Sequence, residues 1–217
     1  MPNIPHIESA MVAPWCGWIM LALLLCAVFA EAFQPGVITQ SPSSLFARTD
    51  RTYKDSPNTL LGMFFITLFR IGTPSFALCL CLFSPDHASF VAFGAVCGIV
   101  LAVLLLKMLI NKLLDYTFSL SRRFGDMYEH YGNIATIATA VLYPVLLVLL
   151  RVSDIQVVQW TVGIMALFFL SMWIFRAART YLVSPAATIY MLFYIATMEL
   201  LPMAVLIYLS AKTIAIL

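Results

Sequence analysis

Two charged residues stand inside long apolar stretches of this chain. Arg70 lies near the middle of the stretch 59–83, and Glu199 lies near the middle of the stretch 186–209. A charge at the centre of a membrane helix costs about 2.5–3.5 kcal/mol on insertion scales, so such residues are rare and have partners. Because the two charges are opposite in sign, the sequence predicts that the two residues are partners.

The two charges also lie at similar depth in their stretches. Arg70 is eleven residues into its stretch and Glu199 is thirteen residues into its own. At 1.5 Å per residue the two depths differ by about 3–4 Å. One interpretation is a buried ion pair that fixes helix pairing, and this is the favoured one. The other is a polar centre for a proton, an ion or a lipid headgroup.

A proline follows each charge within one helical turn. Pro74 is four residues after Arg70, and Pro202 is three residues after Glu199. A proline cannot donate to the carbonyl four residues earlier, which leaves the carbonyls of Arg70 and Met198 without their helical partners. Hydroxyl-bearing residues nearby are further candidates for the same polar centre, namely Thr67, Thr73, Tyr190, Tyr194 and Thr197.

A second polar cluster lies in the segment 115–132. Asp126, Glu129 and His130 have the spacing of side chains on one helical turn, but no second group of ligands completes a metal site. The favoured interpretation is therefore a solvated turn at the membrane interface. Arg122 and Arg123 in the same segment fit contact with anionic headgroups or with a protein partner.

Motifs of the common catalytic classes are absent from the chain. It has no GxSxG, no HExxH, no phosphate-binding loop and no dinucleotide fingerprint. Its three histidines lie outside the apolar stretches, which argues against a haem held by two histidines within a membrane. We predict a protein that is not an enzyme and that has no metal and no cofactor.

Composition indicates what must position these residues. Of 217 residues, 63% are hydrophobic and 10% are charged, with a mean hydropathy of +0.98. Soluble domains have about 25% charged residues, so the chain is predicted to be one integral membrane domain over residues 1–217. The net charge of +2 gives no support for a nucleic-acid partner.

Six apolar stretches are each long enough to cross a bilayer. None alternates as the strands of a membrane barrel do, and backbone in lipid must satisfy its own hydrogen bonds. The sequence therefore predicts an all-α bundle of six transmembrane helices with polar loops at 34–58 and 115–132. The six stretches are 15–33, 59–83, 89–114, 133–150, 157–175 and 186–209.

Basic residues predict the orientation of the bundle. Nine Lys and Arg residues fall on one side and two, Arg151 and Lys212, on the other. The positive-inside rule places the richer side in the cytoplasm, so both termini are expected outside. The nine are Arg48, Arg51, Lys54, Lys107, Lys112, Arg122, Arg123, Arg176 and Arg179.

Two features near the cytoplasmic ends leave alternatives open. The run Ala30-Glu31-Ala32 resembles a signal-peptide cleavage site, although the residues before the first stretch include no Lys or Arg. Glu31 and Lys107 can each reach the interface. Solvated side chains are favoured there over an ion pair between the two.

One run in the last apolar stretch supports a family resemblance. Tyr194-x-x-Thr197-x-Glu199-x-x-Pro202 resembles the C-terminal signature of an uncharacterised Bacteroidota family of integral membrane proteins, a domain of unknown function. The likeness covers nearly the whole chain and includes the spans with Arg70 and Lys107, the run KLLDY, and the pair Arg176 and Arg179. It implies a multi-pass protein of a Gram-negative inner membrane and implies no activity.

The favoured function is a non-enzymatic scaffold, assembly factor or accessory subunit of an envelope or secretion complex. Its expected partners are the lipid bilayer and a membrane protein or a second copy of the chain. The alternative is a small proton- or ion-coupled transporter that uses Arg70 and Glu199. A membrane enzyme acting on lipid through the segment 115–132 is the weakest hypothesis.

Overall fold

The computed structural model of the chain is helical throughout its regular elements. It describes residues 14–39, 59–82, 90–118, 121–152, 154–181, 197 and 201–216, with the side chains of 59, 111–131, 176–181, 203 and 213–216 outside the description. Within these ranges six helices follow one another: α1 Pro14–Phe33, α2 Thr59–Leu82, α3 Phe90–Phe118, α4 Ser121–Leu149, α5 Ile155–Tyr181 and α6 Leu201–Ile216.

Five of these helices are long and apolar enough to cross a membrane. The candidate spans are Pro14–Phe33, Leu60–Leu82, Phe90–Ile110, Gly132–Leu149 and Ile155–Phe175. Most of the sixth predicted stretch, 186–209, lies outside the described residues, and α6 continues beyond it to Ile216. The number of six spans and the orientation of the bundle therefore stay predictions.

The segment predicted as a polar loop at 115–132 is mostly helix. α3 continues to Phe118 and α4 begins at Ser121. In the same way α5 continues to Tyr181, so Arg176 and Arg179 lie in a helix rather than in a loop. A helix that leaves the apolar layer keeps its own backbone hydrogen bonds, so the polar composition of these segments did not mark the ends of the helices.

Helix α2 is the centre of the bundle. It contacts each of the other five helices, and its most extensive contact is with α1. Half of its apolar stretch is buried, whereas 11% of the corresponding stretch of α3 is buried. Residues on α2 are therefore placed to link the rest of the fold.

Helices α1 and α2 run antiparallel. Near the start of α1 the ring of Trp15 lies 6.4 Å from that of Phe76, and near its end Phe33 stacks on Phe65 at 5.8 Å. Between these rings the helices approach closely at Gly72, where an added Cβ would overlap the end of the Leu23 side chain. A larger residue at this position would therefore require Leu23 to move.

Glu31 organises the turn that follows α1. Its carboxylate accepts hydrogen bonds from the amides of Gly36 at 2.8 Å and Ile38 at 2.9 Å, and from the Thr39 hydroxyl at 2.7 Å. Gly36 has a φ of 92°, which favours glycine. Glu31 is half-buried, so the local backbone supplies part of the hydrogen bonding that water alone was expected to supply.

Two side-chain hydrogen bonds connect α4 to α1 and α5 to α2. The Tyr143 hydroxyl of α4 donates to the carbonyl of Met20 in α1 at 2.9 Å. The Gln159 amide of α5 donates to the carbonyl of Cys81 in α2 at 2.8 Å. At the start of α5, Asp154 caps the helix by accepting from the amide of Gln156 at 2.8 Å.

Candidate functional site

The guanidinium of Arg70 is fixed on helix α4. Its Nε donates to Oγ1 of Thr136 at 2.8 Å, and its Nη2 donates to the same oxygen. The Thr136 hydroxyl in turn donates to the carbonyl of Gly132 at 2.9 Å. Thr136 is fully buried and Arg70 is half-buried. The arginine therefore joins the central helix to α4 through charge-assisted hydrogen bonds.

A glycine leaves room for the guanidinium. A Cβ built at Gly132 would lie 3.5 Å from Nη1 of Arg70, in ordinary van der Waals contact. Gly132 thus lies directly against the guanidinium, and its carbonyl orients the Thr136 hydroxyl.

The side chain of Arg70 runs along α4 toward the start of that helix. Phe69, one residue earlier on α2, packs its ring against Tyr143 at 6.0 Å. Tyr143 is seven residues after Thr136, or about 10 Å along the axis. Helical side chains point toward the N-terminus of their own helix, so the guanidinium lies nearer the polar end of α4 than the Arg70 backbone does. Arginine side chains characteristically bring their charge toward an interface in this way.

Thr73 adds a buried polar group beside this centre. It is fully buried, and its hydroxyl has no hydrogen-bond partner. Pro74 lies inside α2 and removes the amide that would bond to the carbonyl of Arg70. The helix continues to Leu82 in spite of the proline. Around Arg70 the central helix therefore combines a fixed cation with a buried hydroxyl that has no hydrogen-bond partner.

The other predicted members of the polar centre are only partly described. Thr67 is exposed, and its hydroxyl donates to the Met63 carbonyl of its own helix at 2.7 Å. Thr197 is exposed, and Pro202 is half-buried as the second residue of α6. Glu199, Tyr190 and Tyr194 lie outside the described residues. The Arg70–Glu199 pair consequently stays a prediction.

Four residues of α4 form a face that the sequence analysis missed. Gly132, Thr136, Thr139 and Tyr143 are spaced by four, three and four residues, which places them on one side of a helix. Thr139 is also buried, and its hydroxyl bonds to the carbonyls of Ala135 and Thr136. The spacing of small and hydroxyl-bearing residues was the signal, and it could have identified α4 as the neighbour of Arg70.

The second predicted cluster is described only as backbone. Arg122, Arg123, Asp126, Glu129 and His130 belong to the first turns of α4, and their side chains lie outside the description. Among the side chains that are described, no three His, Cys, Asp or Glu residues come together as metal ligands. The predictions of no metal and no cofactor stay predictions.

Fold and site together define a class of protein. Five helices are apolar and long enough to cross a membrane, and the central one of them carries Arg70, which is typical of a multi-pass α-helical membrane protein. The chain belongs to the family described as a domain of unknown function, DUF4271, which it matches over residues 17–209. Neither the comparison with curated proteins nor the comparison with solved structures gives a match.

Proposed function

We propose that this protein is a non-enzymatic component of a bacterial inner membrane: a scaffold, assembly factor or accessory subunit of an envelope or secretion complex. The observation that carries the proposal is the attachment of Arg70 to Thr136. A guanidinium whose acceptor is itself held by the Gly132 carbonyl is restrained by two successive hydrogen bonds. Such a group suits helix assembly, since a transport site requires groups that exchange partners.

The cellular location in the proposal comes from sequence. The likeness of the C-terminal run around Glu199 to a Bacteroidota inner-membrane family supports the inner membrane of such a cell. The excess of nine basic residues over two supports cytoplasmic 34–58 and 115–132 segments with both termini outside.

We further propose that Glu199 is the anionic partner of Arg70. A cation within a membrane bundle needs a compensating charge or backbone carbonyls. Glu199 has the opposite sign and a similar predicted depth. The pair would join the predicted sixth stretch, 186–209, to the two helices that Arg70 already connects.

Charge exchange tests this pair. Arg70→Gln and Glu199→Gln should each lower the yield of folded protein several-fold, because one charge loses its partner. The double exchange Arg70→Glu with Glu199→Arg should restore at least part of that yield. Size-exclusion profiles of the protein extracted in mild detergent measure the result. Single variants that stay abundant and folded, yet abolish function in cells, would contradict the structural role.

The identity of the complex can be tested by isolation from native membranes. A scaffold or accessory subunit should copurify with a partner in fixed stoichiometry, and Arg70→Gln should release it only by unfolding this chain. Persistent recovery as a monomer or homodimer would instead favour transport.

A small proton- or ion-coupled transporter is the second candidate. One observation favours it: the buried Thr73 hydroxyl, three residues after Arg70 on the central helix, has no hydrogen-bond partner. Proteoliposomes containing a pH-sensitive dye would reveal proton flux. Flux that is abolished by Thr73→Val without loss of folded protein would support the transporter, and its absence from the wild-type protein would support the scaffold.

A further inference from the structure

One hydroxyl in helices α2, α4 and α5 differs from all the other serine and threonine hydroxyls described there. Thr73 of α2 is fully buried, yet its hydroxyl has no hydrogen-bond partner. Each of the others donates to a carbonyl three or four residues earlier in its own helix. Since a buried hydroxyl without a partner destabilises a protein, the packing around Thr73 must oppose that bond. The residues that make it are Thr67, Ser75, Thr136, Thr139, Thr161 and Ser171.

Thr73 lies where the central helix is least stiff. The run 72–75, Gly-Thr-Pro-Ser, lies inside α2, and Pro74 has no amide to donate within the helix. Helices bend at prolines and at pairs of small residues. Ser210 of α6 is the other buried hydroxyl without a partner in the described part of the chain, and the nearest proline of its helix is eight residues away. At Thr73, by contrast, the unsatisfied hydroxyl coincides with a bending point.

The half of α2 that precedes this run is attached to α4. Arg70 donates to Thr136 through its Nε at 2.8 Å. The ring of Phe69 lies 6.0 Å from that of Tyr143, which also belongs to α4. These contacts hold the first half of α2 in place if the helix bends after them.

The half of α2 that follows the run is attached to other helices. The ring of Phe76 lies 6.0 Å from that of Phe93 in α3 and 6.4 Å from that of Trp15 in α1. The carbonyl of Cys81 accepts a hydrogen bond from the Gln159 side chain of α5 at 2.8 Å. A bend at 72–75 would therefore move the contacts with α3, α5 and the start of α1 relative to α4.

We propose that residues 72–75 form a two-state hinge of the central helix and that the Thr73 side chain selects the state. In the present structure its hydroxyl has no partner. In the second state the side chain rotates about χ1, and the hydroxyl donates to the carbonyl of Phe69, four residues earlier, as threonines in helices do. The rotation exchanges the methyl and hydroxyl positions, and full burial leaves no room for that exchange unless α2 bends at Pro74. The second half of α2 moves with the bend, while Arg70 stays on α4.

Fluorine NMR of the full chain in nanodiscs tests the hinge, with 5-fluorotryptophan in place of its four tryptophans. Trp15 reports the movement because its ring contacts Phe76. Saturation-transfer spectra should reveal a second state of Trp15 populated above about 1%, as is usual for alternative conformations. Trp15→Phe assigns the signal. Trp18 of the same helix is 72% exposed and should show one state, which makes it the internal control.

Substitutions at the hinge should remove the second state. Thr73→Val keeps the shape of the side chain but has no donor, so the minor population should fall about fivefold or more, the effect of one hydrogen bond. Pro74→Ala returns an amide to the helix and should have the same effect. The matched control is Thr67→Val in the first half of α2, where the hydroxyl already bonds to its own helix, and it should leave the minor population unchanged.

Three results would overturn the hinge. One is a Trp15 signal without a second state in the wild-type protein. Another is a second state that persists in Thr73→Val or in Pro74→Ala, and the third is its equal loss in Thr67→Val. If Thr73→Val gives no folded protein, Pro74→Ala decides the question. The hinge is separate from the proposed scaffold role, because neither state changes the attachment of Arg70 to Thr136.

Discussion

Helices α2 and α3 show how burial is decided within this bundle. Among the five candidate spans, α3 has the highest mean hydropathy and α2 the lowest, yet half of α2 is buried against 11% of α3. Lipid tails are as apolar as leucine, so hydrophobicity does not drive helices together in a bilayer. Close packing and hydrogen bonds do, and these need the small and polar residues that lower the hydropathy of α2.

The largest expected difference between a buried and an exposed position concerns truncation of an aromatic side chain. Phe76 of α2 is fully buried, whereas Phe168 of α5 is 56% exposed. Phe76→Ala should destabilise the protein by about 3 kcal/mol through the cavity it leaves. Phe168→Ala should cost well under 1 kcal/mol, because lipid refills its space. Thermal unfolding in nanodiscs compares the two, and similar midpoints would contradict the central position of α2.

Two threonines extend the comparison of buried and exposed positions to hydrogen bonds. Thr136→Val removes the acceptor of the Arg70 guanidinium and should cost about 1.5–3 kcal/mol, the range for bonds to charged groups. Thr67→Val removes only a bond to the carbonyl of Met63 in its own helix and should be nearly neutral. Thr136→Ser should retain most of the wild-type stability. Equal stability of the two valine variants would show that the Arg70 contact contributes nothing.

Two glycines test close approach. An added Cβ at Gly72 would overlap the Leu23 side chain, whereas an added Cβ at Gly98 of α3 meets nothing within 4 Å. Gly72→Val should therefore destabilise the contact between α1 and α2 by about 1–3 kcal/mol. Gly98→Val should be tolerated. The fraction of monodisperse protein after heating measures this difference, and intolerance at Gly98 would instead indicate a packed α3 surface.

The smallest effect is expected at a tyrosine hydroxyl. Tyr143→Phe removes the bond to the Met20 carbonyl and keeps the ring against Phe69. Side-chain hydrogen bonds in membrane proteins contribute about 0.6 kcal/mol on average. Tyr208→Phe, at a residue 65% exposed, is the control and should leave the unfolding midpoint unchanged. A loss above about 2 kcal/mol at Tyr143 would exceed any such bond measured in membranes.

Much of the fold could be predicted because lipid imposes simple rules on a sequence. Continuous apolar stretches gave the five helices that can span a membrane to within a few residues, since helices alone satisfy their backbone in lipid. The ends toward water were harder to predict. Polar residues around Asp115 and Arg122 indicated a loop, but the helices continue through most of that segment.

The candidate site was predicted in part. Arg70 was identified because a charge in an apolar stretch is costly unless it has a partner. Thr73 and Pro74 were named with it. Thr136 was missed because a single threonine in a membrane helix is common. Its significance depends on the distance of 2.8 Å to Arg70, from which it is separated by sixty-six residues of sequence.

The sequence alone indicates an integral membrane protein in which Arg70 needs partners. The reason is that the free energy of inserting a segment into a membrane depends on its residue types and on its length. Only the tertiary structure shows that α2 is central, that Leu23 packs against Gly72, and that Thr136 accepts hydrogen bonds from the guanidinium of Arg70. Those outcomes depend on which helix faces are complementary in shape and polarity. The residue pattern of one helix can indicate its contact face, but not the distances and bonds that its neighbour makes with it.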